Sequence, residues 1–150
     1  MNAALLPWPH KALSPNARPH YLVRHKAARA SRSAACVIGT GGKCLQNPVC
    51  AVVPLVRDKR ARDIDNVLAG LKSALDGLTD AGWWTDDSTI VGIHLSPPLY
   101  SPKFAEKRIL MLAVEQEDER DLGERVRRFR EDTVTGLPHD ALLRYFGLTW

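Results

Sequence analysis

Residues 48–56 read PVCAVVPLV, a run of apolar side chains that contains no charge. Valine and leucine in such a run favour a β-strand, and the lack of alternation indicates that both faces of the strand are covered. We therefore predict a central strand from Pro48 to Val56. The preceding segment, Gly39-Thr40-Gly41-Gly42, lacks the Gly-Lys-Ser/Thr ending of a phosphate-binding loop and is predicted to be a plain turn.

The segments before this strand predict an edge strand and a basic helix. Residues 5–9, LLPWP, are apolar but interrupted by proline, which suits an edge strand or an extended arm. Ser14-Pro15-Asn16 offers capping oxygens, and the residues from Ala17 to about Ala35 are rich in helix-forming types without an internal glycine. We predict a helix over 17–35, with Pro19 in its first turn.

The segments after the central strand predict a leucine-lined helix and two more strands. Leucines recur at the spacing of one helical face, at Leu68, Leu71, Leu75 and Leu78. They predict one helix of about 18 residues. Residues 89–95 and 108–114 are predicted strands, and the loop between them carries three prolines.

The last part of the chain differs in composition from the rest. From Glu115 onward it is densely and evenly charged, and a helix is predicted over 118–132 through Leu122, Val126 and Phe129. A last short helix is predicted over 140–146. We therefore divide the chain into a domain of residues 1–114 and a charged helical extension of residues 115–150.

Composition excludes several classes of protein. The chain has 150 residues, of which 45% are hydrophobic and 25% charged, which suits one compact folded domain and excludes a disordered polymer. Three cysteines without a CxxC pair argue against a disulfide framework or a closed zinc site. Because neither an export signal nor a membrane-spanning run is found in the sequence, we expect a cytoplasmic protein with no membrane partner.

The formal net charge of +4 conceals an uneven distribution. Residues 1–62 contain eleven basic side chains and one acid, Asp58, for a net charge of +10, whereas the remainder carries −6. A basic first part points to a polyanion, most economically nucleic acid, since neutralising phosphates releases condensed counterions. The alternative is a solvated basic helix without a partner.

Carboxylates flank the leucine helix on both sides. Asp63 and Asp65 precede it, and Asp86 and Asp87 follow it, so a fold-back of the chain would bring them together. Such a cluster needs a counter-charge, and oxygen ligands of this kind suit Mg²⁺. Lys72 could contact a scissile phosphate. The alternative for Asp63 and Asp65 is helix capping in a solvated turn.

A resemblance to a known family adds to these patterns. The motifs that carry it are, in order, LLPWP (5–9), LSPNAR (13–18), RDIDN (62–66), Lys72, DGL (76–78), AG (81–82) and DDS (86–88). From about Leu5 to Val114 the chain resembles the RusA-like Holliday-junction resolvases. The resemblance implies an α+β fold, with a small mixed β-sheet packed with two main helices. It also implies a homodimer that binds four-way branched DNA and introduces paired nicks with Mg²⁺, or with Mn²⁺ in its place.

The same resemblance assigns roles to residues. Asp63 and Asp65 match the aspartates of the family's DxDN signature, Asp87 matches the second aspartate of its DD pair, and Lys72 matches its helix lysine. These four would be catalytic, and the three aspartates would hold the metal. The DNA-binding residues would be Arg18, Arg24, Lys26, Arg29, Arg32, Lys59, Arg60 and Arg62.

Two other functions remain open at this stage. One is a nuclease for other branched DNA, such as flaps or forks, in phage DNA processing. The other is a catalytically inactive junction-binding protein. Trp83 and Trp84 have two readings as well. Either could pack in the core under the helix end, or lie in the dimer contact or near unstacked bases, and the core is favoured because large aromatics usually supply buried area.

Overall fold

The computed structural model describes residues 1–136, 144 and 146–148. Their fold is mixed α+β, which confirms the expected class. The elements are, in chain order, β1 (Asn2–Pro7), α1 (Tyr21–Gly39), β2 (Pro48–Val56), α2 (Ile64–Gly70), α3 (Lys72–Asp80), β3 (Gly92–Leu95), β4 (Leu99–Tyr100), β5 (Arg108–Glu115) and α4 (Glu119–Val134). Short 3₁₀ turns lie at Lys11–Leu13, Asp87–Thr89 and Gln116–Asp118.

β2 is the central strand that the sequence predicts, and every one of its residues is buried. It pairs antiparallel with β5 on one side, and parallel with β3 and β4 on the other. Pro54, which has no N–H to donate, lies between the residues that pair with β3, up to Val52, and those that pair with β4, from Leu55. β1 is an edge strand beside β5, as the prolines of residues 5–9 predict.

The two faces of the sheet are covered by different helices. Because side chains alternate along a strand, Cys50 and Val52 belong to the core that the sheet shares with α1, α2 and α3. Ala51 and Val53 point the other way and belong to a second core, which the sheet shares with α4. We call these the α1–α3 face and the α4 face.

α1 begins later than the sequence suggests. The predicted start at Ala17 is wrong, and the helix begins at Tyr21. Pro19 disfavours helical backbone at the residue before it. His20 is the N-cap residue instead, and its Nδ1 accepts a hydrogen bond of 3.3 Å from the N–H of Leu22.

The prediction of a single leucine-lined helix is also wrong, because this segment divides into α2 and α3 at Leu71. Gly70, a poor helix former, ends α2. It is buried against Pro9, where a Cβ would lie 2.9 Å from the Cβ of that proline. The N–H of Leu71 then donates a hydrogen bond to the carbonyl of Leu68, which forms a tight turn. The buried hydrophobic side chains of this segment are Val67, Leu71, Ala74 and Leu78, and the other two leucines are half-buried.

The later strands partly match expectation. β3 begins at Gly92 and not at residue 89, because the Asp86 carboxylate accepts a hydrogen bond from the N–H of Ser88 and caps a 3₁₀ turn. β4, in the proline-bearing loop, is not predicted at all. β5 and α4 confirm the predictions over 108–114 and 118–132.

The charged extension packs on the main sheet. Leu122 and Phe129 of α4 are buried in the core of the α4 face, and Phe146 packs edge-on against Phe129 with ring centroids 5.5 Å apart. Most of the helix predicted over 140–146 lies outside the described residues. The domain boundary at Val114 stays a prediction. Within the described part of the chain, no helix is long and apolar enough to cross a membrane.

Candidate active site

The first predicted aspartate lies where the chain leaves the charged turn after β2. Asp63 is the N-cap residue of α2, yet its side chain caps no backbone N–H. Its Oδ2 accepts instead a hydrogen bond of 2.8 Å from the side-chain amide of Asn66. Asn16, in the segment before α1, donates in turn to Asn66 Oδ1 over 3.4 Å. Simple helix capping therefore does not account for this carboxylate.

Asp65 lies in the first turn of α2 and is exposed. A carboxylate near a helix N-terminus is favoured by the helix dipole. Its position, two residues after Asp63, leaves both carboxylates near the surface at the start of one helix.

Lys72 is the first residue of α3 and reaches two carboxylates. Its Nζ lies 2.7 Å from Asp87 Oδ2 and 3.2 Å from Asp76 Oδ1. The hydrogen bonds to Asp87 and then to Asp76 raise the pKa of Lys72 above its ordinary value, so the ammonium form is favoured. The structure thus brings Lys72, at the start of α3, into contact with Asp87, in the 3₁₀ turn that follows α3. Sequence reasoning gives Asp76 no role, although its i,i+4 spacing from Lys72 is the signal of such a pair.

Asp86 and Asp87 have different surroundings. The Asp86 side chain accepts a hydrogen bond of 2.9 Å from the N–H of Ser88. The side chain and backbone of Ser88 hold the pKa of Asp86 below its usual range. Asp87 lies in the turn itself and points at Lys72. Of the two neighbours, Asp87 is therefore the one in contact with another predicted site residue.

The carboxylates of the three predicted ligands suit a divalent cation, but the structure does not bring the three side chains together. Asp63, Asp65 and Asp87 offer the oxygen ligands that Mg²⁺ prefers. Among the described residues, however, no three Asp, Glu, His or Cys side chains lie close enough together to hold a metal ion. What the structure brings together is Lys72 with Asp87, and Asp63 with Asn66. The three-aspartate ligand set stays a prediction.

The predicted DNA-binding residues fall into two groups. Six are exposed and form no ion pair within the described part of the chain: Arg18, Arg24, Lys26, Arg29, Lys59 and Arg60. Of these six, Lys59 faces an aromatic ring. The other two are held by the fold. Arg32 contacts Asp80 with Nε at 2.5 Å, and Arg62 contacts Asp58 with Nη2 at 2.6 Å.

Arg62 in particular has a structural environment. Only 12% of its side chain is exposed, and its guanidinium lies over the Trp8 ring, 5.7 Å from the ring centroid. Its hydrogen bond to Asp58 lowers the pKa of that carboxyl. Lys107 stacks over the same ring at 5.3 Å, a contact that the sequence does not signal.

The two tryptophans belong to the core, as favoured from the sequence. Trp83 and Trp84 are each 1% exposed. The indole N–H of Trp83 donates to the carbonyl of Gly39 at 2.8 Å, and that of Trp84 donates to Thr79 Oγ1 at 2.6 Å. Both side chains are therefore satisfied inside the protein and do not present their rings to nucleic acid.

Comparison with known proteins supports the resemblance. Residues 41–111 match the family model described as endodeoxyribonuclease RusA. This span begins after α1 and includes Asp63, Asp65, Lys72 and Asp87. An uncharacterized protein of Xylella fastidiosa strain Temecula1 is 39% identical over 88 residues, which cover 54% of this chain and 58% of the relative. The alignment thus covers little more than half of that protein's length.

Proposed function

We propose, from the premise that residues 41–111 are RusA-like, that this protein is an endodeoxyribonuclease that nicks four-way DNA junctions. The observation that carries the proposal is the contact between Lys72 and Asp87. It joins two residues of the RusA-like span that are distant in sequence and that the resemblance places in one active site.

In this proposal the metal ligands are Asp63, Asp65 and Asp87, and the ion is Mg²⁺ or Mn²⁺. The chemistry that a bound divalent cation supplies is charge stabilisation at the phosphate and activation of a water molecule. The Asn66 amide orients the Asp63 carboxylate by its hydrogen bond. Asp86 keeps the 3₁₀ turn in shape, and this turn carries Asp87.

Lys72 acts as a fixed positive charge next to the reacting phosphate. Its carboxylate partners favour the protonated form, and an ammonium group stabilises negative charge that develops on phosphate oxygens. Asp76 can keep its hold on the ammonium when Asp87 turns to another partner, because Lys72 contacts both carboxylates.

The DNA would be held mainly through its phosphates. The exposed basic residues of α1 and of the turn after β2 supply positive charge without base-specific geometry, which suits recognition of shape. A two-fold homodimer would present one site to each of two opposed strands, so the symmetry of the protein would match that of the junction.

The substitution Asp65→Asn tests this site. It removes one charge from an exposed carboxylate and leaves the core untouched, so we expect the variant to bind a labelled four-way junction but to nick it at least about a hundredfold more slowly. The measurement is the initial rate of nicking in Mg²⁺, together with binding in EDTA.

Asp118→Asn is the matched control. Asp118 is exposed, caps no backbone N–H and lies before α4, so this variant should nick at the wild-type rate. If Asp65→Asn nicks as fast as Asp118→Asn does, the assignment of the site is wrong. Binding without nicking by the wild-type chain would favour the inactive junction-binding protein.

A further inference from the structure

A small pocket lies between α1 and α3 beside the candidate active site. Its volume is about 280 Å³. α1 lines it with His25, Arg29 and Arg32, and α3 lines it with Ser73 and Asp76. The three α1 residues stand at positions i, i+4 and i+7, so they share one face of the helix. The pocket therefore collects two guanidinium groups, an imidazole, a hydroxyl and one carboxylate, that of Asp76.

The charges of the pocket leave one cation available. Arg32 is fixed by Asp80 through hydrogen bonds of 2.5 and 2.7 Å, and Asp76 faces Lys72. Asp80 is thus matched by a cation, whereas Asp76 shares the Lys72 ammonium with Asp87. Arg29 is exposed and forms no ion pair among the described residues, so its guanidinium is the group of the pocket that is available to an anion.

The pocket adjoins the candidate active site. Ser73 follows Lys72 directly on α3. Asp76, which lines the pocket, is hydrogen-bonded to Lys72, and Lys72 is hydrogen-bonded to Asp87. A DNA strand with one phosphate at Lys72 would therefore pass the pocket with a neighbouring phosphate.

We infer that this pocket binds a backbone phosphate of the DNA strand next to the phosphate that is cut, through Arg29, Ser73 and His25. The inference rests on the proposed function and adds a binding subsite to it. Guanidinium groups match phosphate oxygens with paired hydrogen bonds, and a serine hydroxyl can donate a further one. Arg32 is held in place by Asp80 and forms a fixed part of the pocket wall.

The first test is the substitution Arg29→Ala, with binding to a labelled four-way junction measured in EDTA at several salt concentrations. Loss of a charged hydrogen bond should weaken binding about tenfold. The slope of log affinity against log salt concentration should become shallower by about one. Arg120→Ala is the control, because it removes an exposed arginine from α4, which covers the opposite face of the sheet, and should bind as the wild type does.

The second test asks whether residues of two helices hold the same phosphate. Ser73→Ala should weaken binding in the wild-type chain but have little further effect in the Arg29→Ala chain, because both groups would serve one ligand. Arg24 lies about 140° around α1 from Arg29, so Arg24→Ala should have the same effect in both chains. Full additivity of Ser73→Ala with Arg29→Ala would overturn the subsite.

Binding in EDTA separates this inference from the proposed function. A wild-type chain that binds with the expected coupling but nicks no DNA would overturn the proposed nuclease and the link of the pocket to a cut. A wild-type chain that nicks junctions, with Arg29→Ala binding as well as Arg120→Ala, would overturn the pocket alone. In a nicking assay, Arg29→Ala should raise KM and leave kcat nearly unchanged.

Discussion

Cys50 lies in the middle of β2 and is completely buried. Burial raises the pKa of its thiol to about 12, because the thiolate would lose its hydration. The reactive species is the thiolate. Cys50 is therefore chemically inert in the folded protein, unlike the exposed Cys44.

Thiol labelling with an aromatic disulfide at pH 8 checks this difference. We expect Cys44 to react rapidly in the native protein and Cys50 to react only when denaturant unfolds the chain. A Cys44→Ser variant that still has a fast native thiol at residue 50, located by peptide mapping, would contradict the buried position of that strand.

The raised pKa of Cys50 also sets the direction in which the free energy of unfolding changes at alkaline pH. The folded state keeps the thiol protonated, so its contribution is complete below the unfolded pKa near 9 and is lost as the pH rises toward 12. Cys50→Val should therefore flatten the fall in unfolding free energy above pH 9, as measured by urea denaturation. An unchanged slope would show that other groups govern it.

At the scale of elements, the contact between α1 and α3 depends on a glycine. A Cβ at Gly77 would lie 2.2 Å from the backbone oxygen of Arg32 and 2.9 Å from the Cβ of Ala35. The two helices approach to backbone contact at this point. Because backbone cannot yield as a flexible side chain does, the space cannot be made cheaply.

Gly77→Ala should therefore destabilise the protein by about 1–3 kcal/mol, although alanine is the better helix former. Gly123→Ala is the matched control in α4, where a new Cβ would meet nothing within 4 Å. It should stabilise the protein by about 0.4–1 kcal/mol. Chemical denaturation measures both changes, and equal effects of the two substitutions would mean that α1 and α3 are not in close contact.

The elements also show how far sequence patterns reach. The apolar run of β2 and the helical spacing of Leu122, Val126 and Phe129 in α4 are local signals, and both elements lie where they were predicted. The break at Leu71 was not predictable, because it depends on Gly70 packing against Pro9, far away in sequence. The motif likewise predicts Lys72 as a site residue. Its pairing with Asp87 was not predictable, because it too depends on a contact between residues that are distant in sequence.

At the scale of the whole molecule, the extension after Val114 is part of the sheet's packing. Phe129 is 3% exposed in the core of the α4 face. Three acids of α4 are also balanced locally, as arginines pair with them one turn away: Arg125 with Asp121, Arg127 with Glu131 and Arg128 with Glu124. Of the eleven basic residues in the segment 1–62, only Arg32 and Arg62 have an ion partner among the described residues.

Phe129→Ala should therefore lower the free energy of unfolding by about 3–5 kcal/mol, the range for a large aromatic in a core. Val134→Ala, at an 81% exposed position in the same helix, should change it little. Thermal unfolding monitored by circular dichroism measures both. A Phe129→Ala variant as stable as Val134→Ala would indicate that the extension folds apart from the sheet.

We propose above that the RusA-like span forms a metal-dependent nuclease for branched DNA. The most direct measurement is nicking of a synthetic four-way junction by the wild-type chain in Mg²⁺, in Mn²⁺ and in EDTA, beside a flap, a fork and a linear duplex at one salt concentration. We predict paired nicks in two opposed strands of the junction with either cation, none in EDTA, and much slower cutting of the other substrates. A junction that stays intact at every concentration of both cations would mean that the protein is not a metal-dependent junction nuclease.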